Sequence, residues 1–134
     1  MKYKVIDNFL DEDYFDSLVT FFTGTGQATW FFAKDVPEPN VIQYVAPDND
    51  KLFYMYHNIY DRNIPTNPYY YDKMCLLLEK LEIKCLLRVK ANLWPNTEIL
   101  YEHSMHADMP FSHSSAILSL NTCDGYTKLK DGTK

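Results

Sequence analysis

His106 and Asp108, two positions apart in a predicted strand, are the residues of this chain with the clearest metal-binding chemistry. Alternate side chains of a β-strand point to the same face, so this imidazole and this carboxylate can converge on one cation. Non-haem Fe(II) oxygenases use two histidines and one carboxylate on one face and leave the other coordination positions open. The pair therefore predicts two of three metal ligands, although a hydrogen-bonded pair at a strand end explains it as well.

A third ligand is harder to assign from the sequence. His103 lies three residues before His106, so on a regular strand it faces the opposite side and could join the site only through a β-bulge. His113 follows a loop, where a structural or substrate-lining role fits better than metal ligation. His57 is predicted to be a partly buried structural histidine. No further histidine occurs in the sequence.

The composition is typical of one ordered domain of 134 residues, with 46% apolar residues and only 4 glycines. A net charge of −5 without a basic run argues against nucleic acid as a ligand. No apolar stretch approaches the roughly 20 residues of a membrane span, and no signal-peptide pattern opens the chain, so we expect a cytoplasmic protein. The three cysteines lack paired spacing and are expected to be reduced thiols.

The spacing of apolar residues predicts helices first and strands afterwards. One helix begins with the acidic residues 11–13 as its N-cap and first turn and runs through about Thr23, where Gly24 ends it, and a second spans residues 70–81. Strands are predicted over residues 2–7, 29–33, 51–60, 83–93, 98–108, 112–121 and 126–130. Helices followed by a run of strands predict the α+β class.

The order of these motifs resembles the 2-oxoglutarate/Fe(II)-dependent dioxygenases, specifically the prolyl-hydroxylase-like branch and its short phage-type members. The resemblance covers about residues 83–132, with a weaker match over residues 3–22. It is carried by the stretch Arg88-Val-Lys-Ala-Asn-Leu-Trp-Pro-Asn96, by His106-Ala-Asp108, by the strand ending in Leu120-Asn121 and by the Gly125-Tyr-Thr127 turn.

This resemblance implies a single domain over residues 1–134, with N-terminal helices packed on a double-stranded β-helix, the jelly-roll core of cupins. It implies Fe(II) bound by His106 and Asp108, neither of which needs to act as an acid or base. It also implies 2-oxoglutarate as co-substrate, in a pocket lined by Trp94, Tyr101 and Ser119. Core packing explains the two aromatic residues equally well, and a backbone hydrogen bond explains the serine.

The chain departs from the family after its metal motif. In the family a second histidine, and then a basic residue that binds the far carboxylate of 2-oxoglutarate, lie several strands further on. Residues 114–134 contain neither histidine nor arginine, and the only arginines are Arg62 and Arg88. An arginine fork suits bidentate carboxylate binding better than a lysine. We therefore expect a dioxygenase domain whose C-terminal strands are missing.

The leading hypothesis is a 2-oxoglutarate- and Fe(II)-dependent hydroxylase that acts on an unactivated C–H bond. Its substrate would be a protein or peptide side chain such as proline, or a small molecule. One alternative is a catalytically inactive jelly-roll module for binding or structure that has lost the metal site. Another is a metal-dependent isomerase or hydrolase of the cupin type that uses His103 as third ligand. The sequence favours no particular oligomeric state.

Overall fold

The computed structural model describes residues 3–33, 53–96, 100 and 105–134. Its elements are α1 (Glu12–Thr23), β1 (Phe31–Ala33), β2 (Tyr54–Asp61), β3 (Ile64–Pro65), α2 (Pro68–Lys80) and β4 (Arg88–Leu93). Two helices with a small antiparallel sheet place the chain in the α+β class, as the sequence predicted. The helices have 12 and 13 residues, and neither is long and apolar enough to cross a membrane.

Strand β2 is the centre of the sheet and pairs antiparallel with all three other strands. Strand β4 pairs along its length, from Met55 opposite Leu93 to Asp61 opposite Arg88, with a bulge between Asn58 and Tyr60. Because β4 occupies one edge, the shorter strands β1 and β3 must share the other. The β2–β3 hairpin turns through two residues with positive φ, as a two-residue hairpin turn requires.

Helix α1 forms where the sequence places apolar residues at helical spacing. Leu18, Phe21 and Phe22 are its buried residues and lie on one side of the helix. Asp11 occupies the predicted N-cap position, but its side chain makes no capping hydrogen bond. Gly24 ends the helix, where an added Cβ would overlap the carbonyl oxygen of Thr20.

Helix α2 begins two residues before its predicted start because Asn67 caps it there. The Asn67 side chain accepts hydrogen bonds from the backbone amides of Tyr69 at 3.1 Å and Tyr70 at 3.4 Å. Pro68 follows at the first helical position, where its missing N–H costs nothing. Tyr70 and Met74, four residues apart, are buried on one side of the helix.

The core lies between the two helices and one face of the sheet. Ile59 of β2 is buried among the apolar residues of α1 and α2, and Val89 and Ala91 of β4 pack against the same cluster. Since side chains alternate along a strand, the intervening residues of β2 and β4 point away from the helices. We call this second side the distal face; it carries Tyr54, Tyr56, Arg88, Lys90 and Asn92.

Several predicted strands are wrong within the described residues. Residues 3–7, 83–87, 105–108, 112–121 and 126–130 form no strand. Burial still alternates where a strand was expected: Leu118 and Leu120 pack against the core, whereas Ile117 is 72% exposed. A strand also needs a neighbouring backbone for its hydrogen bonds. Among the described residues none pairs with 112–121, so the apolar alternation predicted burial but not pairing.

The described residues form one sheet, and the second sheet of a double-stranded β-helix is not among them. Most of the predicted strand over residues 98–108 lies outside the described residues. The structure thus bears out the α+β class and leaves the jelly-roll core a prediction.

Candidate functional site

His106 and Asp108 lie side by side, as the metal hypothesis requires. The Nε2 atom of His106 is 3.8 Å from Oδ1 of Asp108, and the two side chains are 38% and 50% exposed. No strand brings them together, because residues 105–107 have no regular secondary structure and a bend begins at Asp108. The two donors therefore converge through a local bend, by a different route from the one the sequence suggested.

Arg88 fixes the orientation of the Asp108 carboxylate. Its guanidinium nitrogen Nη2 lies 2.8 Å from Oδ2 of Asp108. The two carboxylate oxygens are thus divided: Oδ2 contacts the arginine, and Oδ1 is directed toward His106. The side chains are 27% and 50% exposed, so solvent screening limits the contribution of this ion pair to about 1 kcal/mol or less. Its main effect is to attach the segment around Asp108 to the first residue of β4.

The donor atoms of His106 and Asp108 suit a divalent transition metal, but they supply only two of the three protein ligands of a facial triad. An imidazole nitrogen and a carboxylate oxygen are both donors that Fe(II) accepts. Neighbouring ligands about 2.1 Å from one octahedral ion lie roughly 3.0 Å apart, so the 3.8 Å separation of these two atoms would have to shorten on metal binding. Over the described residues no group of three or more His, Cys, Asp or Glu side chains could hold a metal. The alternative third ligand, His103, lies outside the described residues.

The predicted co-substrate residues have different surroundings. Trp94 follows β4 and stacks on Tyr54, with ring centroids 4.7 Å apart and planes 22° apart. Ser119 is exposed and lies between two leucines that pack against the core, so it points away from that core. Tyr101 lies outside the described residues. The structure therefore gives Trp94 a packing partner and leaves 48% of it exposed.

A lysine and two tyrosines that the sequence analysis did not single out accompany Trp94 on the distal face. The Lys90 ammonium donates a hydrogen bond to the Tyr54 hydroxyl at 3.0 Å. It also lies 4.8 Å from the ring centroid of Tyr54 and 5.0 Å from that of Tyr56. The spacing Arg88-Val-Lys90 in a predicted strand already placed both cations on one face. The residues that Arg88 and Lys90 contact could not be predicted, because Asp108 and Tyr54 lie far from them in the sequence.

His57 is a structural histidine, as predicted, and it is more deeply buried than expected, at 5% exposed. Its Nδ1 lies 2.9 Å from the carbonyl oxygen of Thr29, an acceptor to which it donates when protonated there. Its ring stacks on Tyr70, with centroids 4.1 Å apart and planes 3° apart. These contacts join β2 to the segment before β1 and to α2. His113 contacts the Phe111 carbonyl at 2.8 Å, a contact within its own loop.

No family model, curated protein or solved structure matches this chain. Its function is therefore inferred from its own residues and their geometry.

Proposed function

We propose that this chain is a 2-oxoglutarate- and Fe(II)-dependent hydroxylase domain in which His106 and Asp108 are metal ligands. One observation carries the proposal: an imidazole nitrogen and a carboxylate oxygen lie 3.8 Å apart, and an arginine holds the other carboxylate oxygen. A partner that orients a ligating carboxylate is a common feature of metal sites. The proposed identity of the metal and co-substrate rests on the resemblance of the motifs in residues 83–132 to the dioxygenase family.

We further propose that the four-stranded sheet is one of the two sheets of a double-stranded β-helix. The helices cover only one face of it, and the distal face carries polar and aromatic side chains that suit a ligand cavity better than a core. Arg88, which binds Asp108, lies on this distal face. In a jelly roll the second sheet would cover this face and enclose the candidate metal ligands.

In this proposal each residue binds, orients or excludes water. His106 and Asp108 bind the cation, and Arg88 keeps one oxygen of Asp108 directed at it. Trp94, Tyr101 and Ser119 line the co-substrate pocket. When bound, iron with 2-oxoglutarate and oxygen supplies the oxidising power to hydroxylate an unactivated C–H bond. The substrate is a protein or peptide side chain such as proline, or a small molecule.

Metal binding tests the ligand assignment directly. Mn(II), a paramagnetic substitute for Fe(II), is titrated into the protein while the imidazole NMR signals of its four histidines are recorded. We expect weak binding that broadens the His106 signals first, because water must fill the remaining coordination positions. Asp108→Asn removes a proposed metal ligand. The affinity for Mn(II) should therefore fall about tenfold or more, at least as much as when a group that supports a ligand is lost. Asp11→Asn, a matched change at the exposed start of α1, should leave it unchanged.

The proposed hydroxylase activity is tested by measuring the iron-dependent release of succinate from 2-oxoglutarate. Residues 1–134 alone should release little, because their described residues hold no group of three metal-binding side chains, and residues 114–134 contain neither the histidine nor the arginine that the family would place there. A longer chain that carries the further strands typical of the family should release succinate. Fast turnover by residues 1–134 would show that the ligands are assigned wrongly.

A second function, a binding or structural module without a metal, is favoured by the Arg88–Asp108 ion pair. At 2.8 Å this pair is complete without any cation, and the positive guanidinium opposes a dication nearby. An equal affinity for Mn(II) in the wild-type protein and in His106→Ala, measured from the broadening of the other histidine signals, would decide for this second function.

A further inference from the structure

A cavity lies at one edge of the sheet, between strands β1 and β3. On that edge β1 pairs with residues 54–56 of β2, and β3 pairs with Tyr60 and Asp61, so neither pairs with His57 or Asn58. Both of these unpaired positions border the cavity, which has a volume of about 320 Å³. This volume is at the lower end of the range for small-molecule sites, so a ligand the size of one small ring fits there.

The imidazole of His57 is held in a fixed orientation at the wall of this cavity. The residue is 5% exposed, and its ring stacks on Tyr70 with centroids 4.1 Å apart. Its Nδ1 lies 2.9 Å from the carbonyl oxygen of Thr29. A carbonyl oxygen can only accept a hydrogen bond. In the neutral ring the proton is therefore on Nδ1, and Nε2 carries the lone pair.

This second ring nitrogen, Nε2, is an acceptor that the described part of the chain does not use. Both polar contacts of the ring involve Nδ1. No side-chain nitrogen or oxygen among the described residues is both buried and unpaired, so Nε2 must border open space. The cavity is open space that His57 lines. A ligand in the cavity can therefore donate a hydrogen bond to Nε2.

Asn67 lines the same cavity and offers the opposite kind of group. Its Oδ1 accepts hydrogen bonds from the backbone amides of Tyr69 and Tyr70 as the cap of α2. Because the oxygen is used in this way, the two N–H donors of its amide nitrogen remain for a ligand. No Asp, Glu, Lys or Arg is among the described residues that line the cavity. These groups suit an uncharged ligand that has both a donor and an acceptor.

Two aromatic rings form a further part of the wall. Phe31 and Tyr56 both line the cavity, and their ring centroids lie 5.9 Å apart. The Phe31 ring is also 5.5 Å from that of His57, and this phenylalanine is 55% exposed. Aromatic side chains make their largest contacts with flat partners, so the ligand that fits best is a flat ring.

We propose that this cavity binds a small, flat, uncharged ring that carries an N–H donor beside a carbonyl oxygen, as a cyclic amide does. The N–H group donates to Nε2 of His57, and the carbonyl oxygen accepts from the amide nitrogen of Asn67. The ring packs against Phe31 and Tyr56. Neither candidate metal ligand lines this cavity, so the inference goes beyond the proposed function and does not depend on it.

The test is an NMR titration of the 134-residue protein with nitrogen-15 in its four histidines, in the presence of a chelator so that no metal contributes. The probe is 2-pyridone, a flat cyclic amide, and N-methyl-2-pyridone is the matched ligand without the N–H donor. We expect 2-pyridone to shift the Nε2 signal of His57. The N-methyl compound should bind at least about tenfold more weakly, because it leaves that acceptor unpaired. An isomer with its methyl group on a ring carbon keeps the N–H and should bind as 2-pyridone does, which separates the lost donor from the added bulk.

Variants assign the binding to these two residues. Asn67→Asp keeps an oxygen that caps α2 but removes both N–H donors, so it should fold and weaken 2-pyridone binding about tenfold or more. Asn96→Asp, the same change at an exposed residue after β4, is the matched control and should bind as the wild type does. His57→Phe keeps a flat ring beside Tyr70 and should also weaken binding about tenfold or more. Thermal unfolding checks each variant, and Asn67→Asp together with the wild-type Nε2 signal decides the matter if His57→Phe does not fold.

Three results would overturn the inference. One is equal binding of 2-pyridone and N-methyl-2-pyridone. Another is undiminished 2-pyridone binding by folded Asn67→Asp. The third is an Nε2 signal of His57 that does not shift at the highest concentration of 2-pyridone. Each is measured without metal, so none of them bears on the proposed function of His106 and Asp108, which has its own test.

Discussion

The Tyr14 hydroxyl joins the two helices, and its removal should lower the free energy of unfolding by about 1 kcal/mol. In the structure it donates to the Lys73 carbonyl at 2.6 Å and accepts from the Leu77 amide at 3.3 Å. Each hydrogen bond of this kind contributes about 0.5–1.5 kcal/mol net. Lys73 and Leu77 are four residues apart in α2, so their backbone groups can bond each other once the hydroxyl is gone. The expected loss is therefore nearer one bond than two.

Urea unfolding of Tyr14→Phe measures this loss. The ring remains in its contact with the core, so the midpoint should fall while the dependence on urea concentration stays the same. Tyr3→Phe is the matched control: Tyr3 is 54% exposed, and its variant should lie within about 0.5 kcal/mol of the wild type.

The same pair of proteins gives a pH dependence with a definite sign. Burial raises the pKa of Tyr14 above its ordinary value of 10.0; the Leu77 amide works against this shift, and nearby Cys75 adds to it. A raised pKa means that the folded state favours the neutral phenol. The stabilisation by Tyr14 is therefore complete below pH 10.0 and is lost as the pH rises through the higher folded value. The stability difference between the wild type and Tyr14→Phe should shrink there.

Two results would refute this reasoning. Equal stability of the wild type and Tyr14→Phe at neutral pH would show that the two hydrogen bonds contribute nothing net. A stability difference that stays constant well above the ordinary tyrosine pKa would show that the folded state does not favour the neutral phenol.

Two further predictions concern the core and the helix caps, and urea unfolding measures both. Leu18→Ala, at a fully buried position, should cost about 2–5 kcal/mol because it leaves a cavity among the helices and β2; a loss below 1 kcal/mol would contradict the packing. Asn67→Ala should cost about 1 kcal/mol, since that side chain caps α2 through two amides. Asp11→Ala should cost less because its side chain makes no capping bond, and the reverse order would contradict the assignment of the caps.

The sequence by itself determined the elements whose signals are local. The helical spacing of Phe15, Leu18, Val19 and Phe22 predicted α1 to within a residue or two, and the aromatic run over residues 51–60 predicted β2. The His106–Asp108 spacing predicted that these two side chains meet; they do so at 3.8 Å, although through a bend and not in the predicted strand. Such features depend on neighbours within a few positions, so the pattern of residue types is enough to indicate them.

Only the tertiary structure decided which distant groups meet. Residues 112–121 have the apolar alternation of a strand, but strand formation depends on a partner backbone that their own sequence does not specify. Arg88 contacts Asp108, and Lys90 contacts Tyr54. The two residues of each pair are too far apart in the sequence for a local spacing pattern to relate them. Contacts between residues distant in the sequence depend on how the whole chain packs, because the packing of the intervening helices and strands determines where each residue lies. The candidate metal pair was therefore visible in the sequence, whereas the arginine that binds Asp108 emerged only from the folded structure.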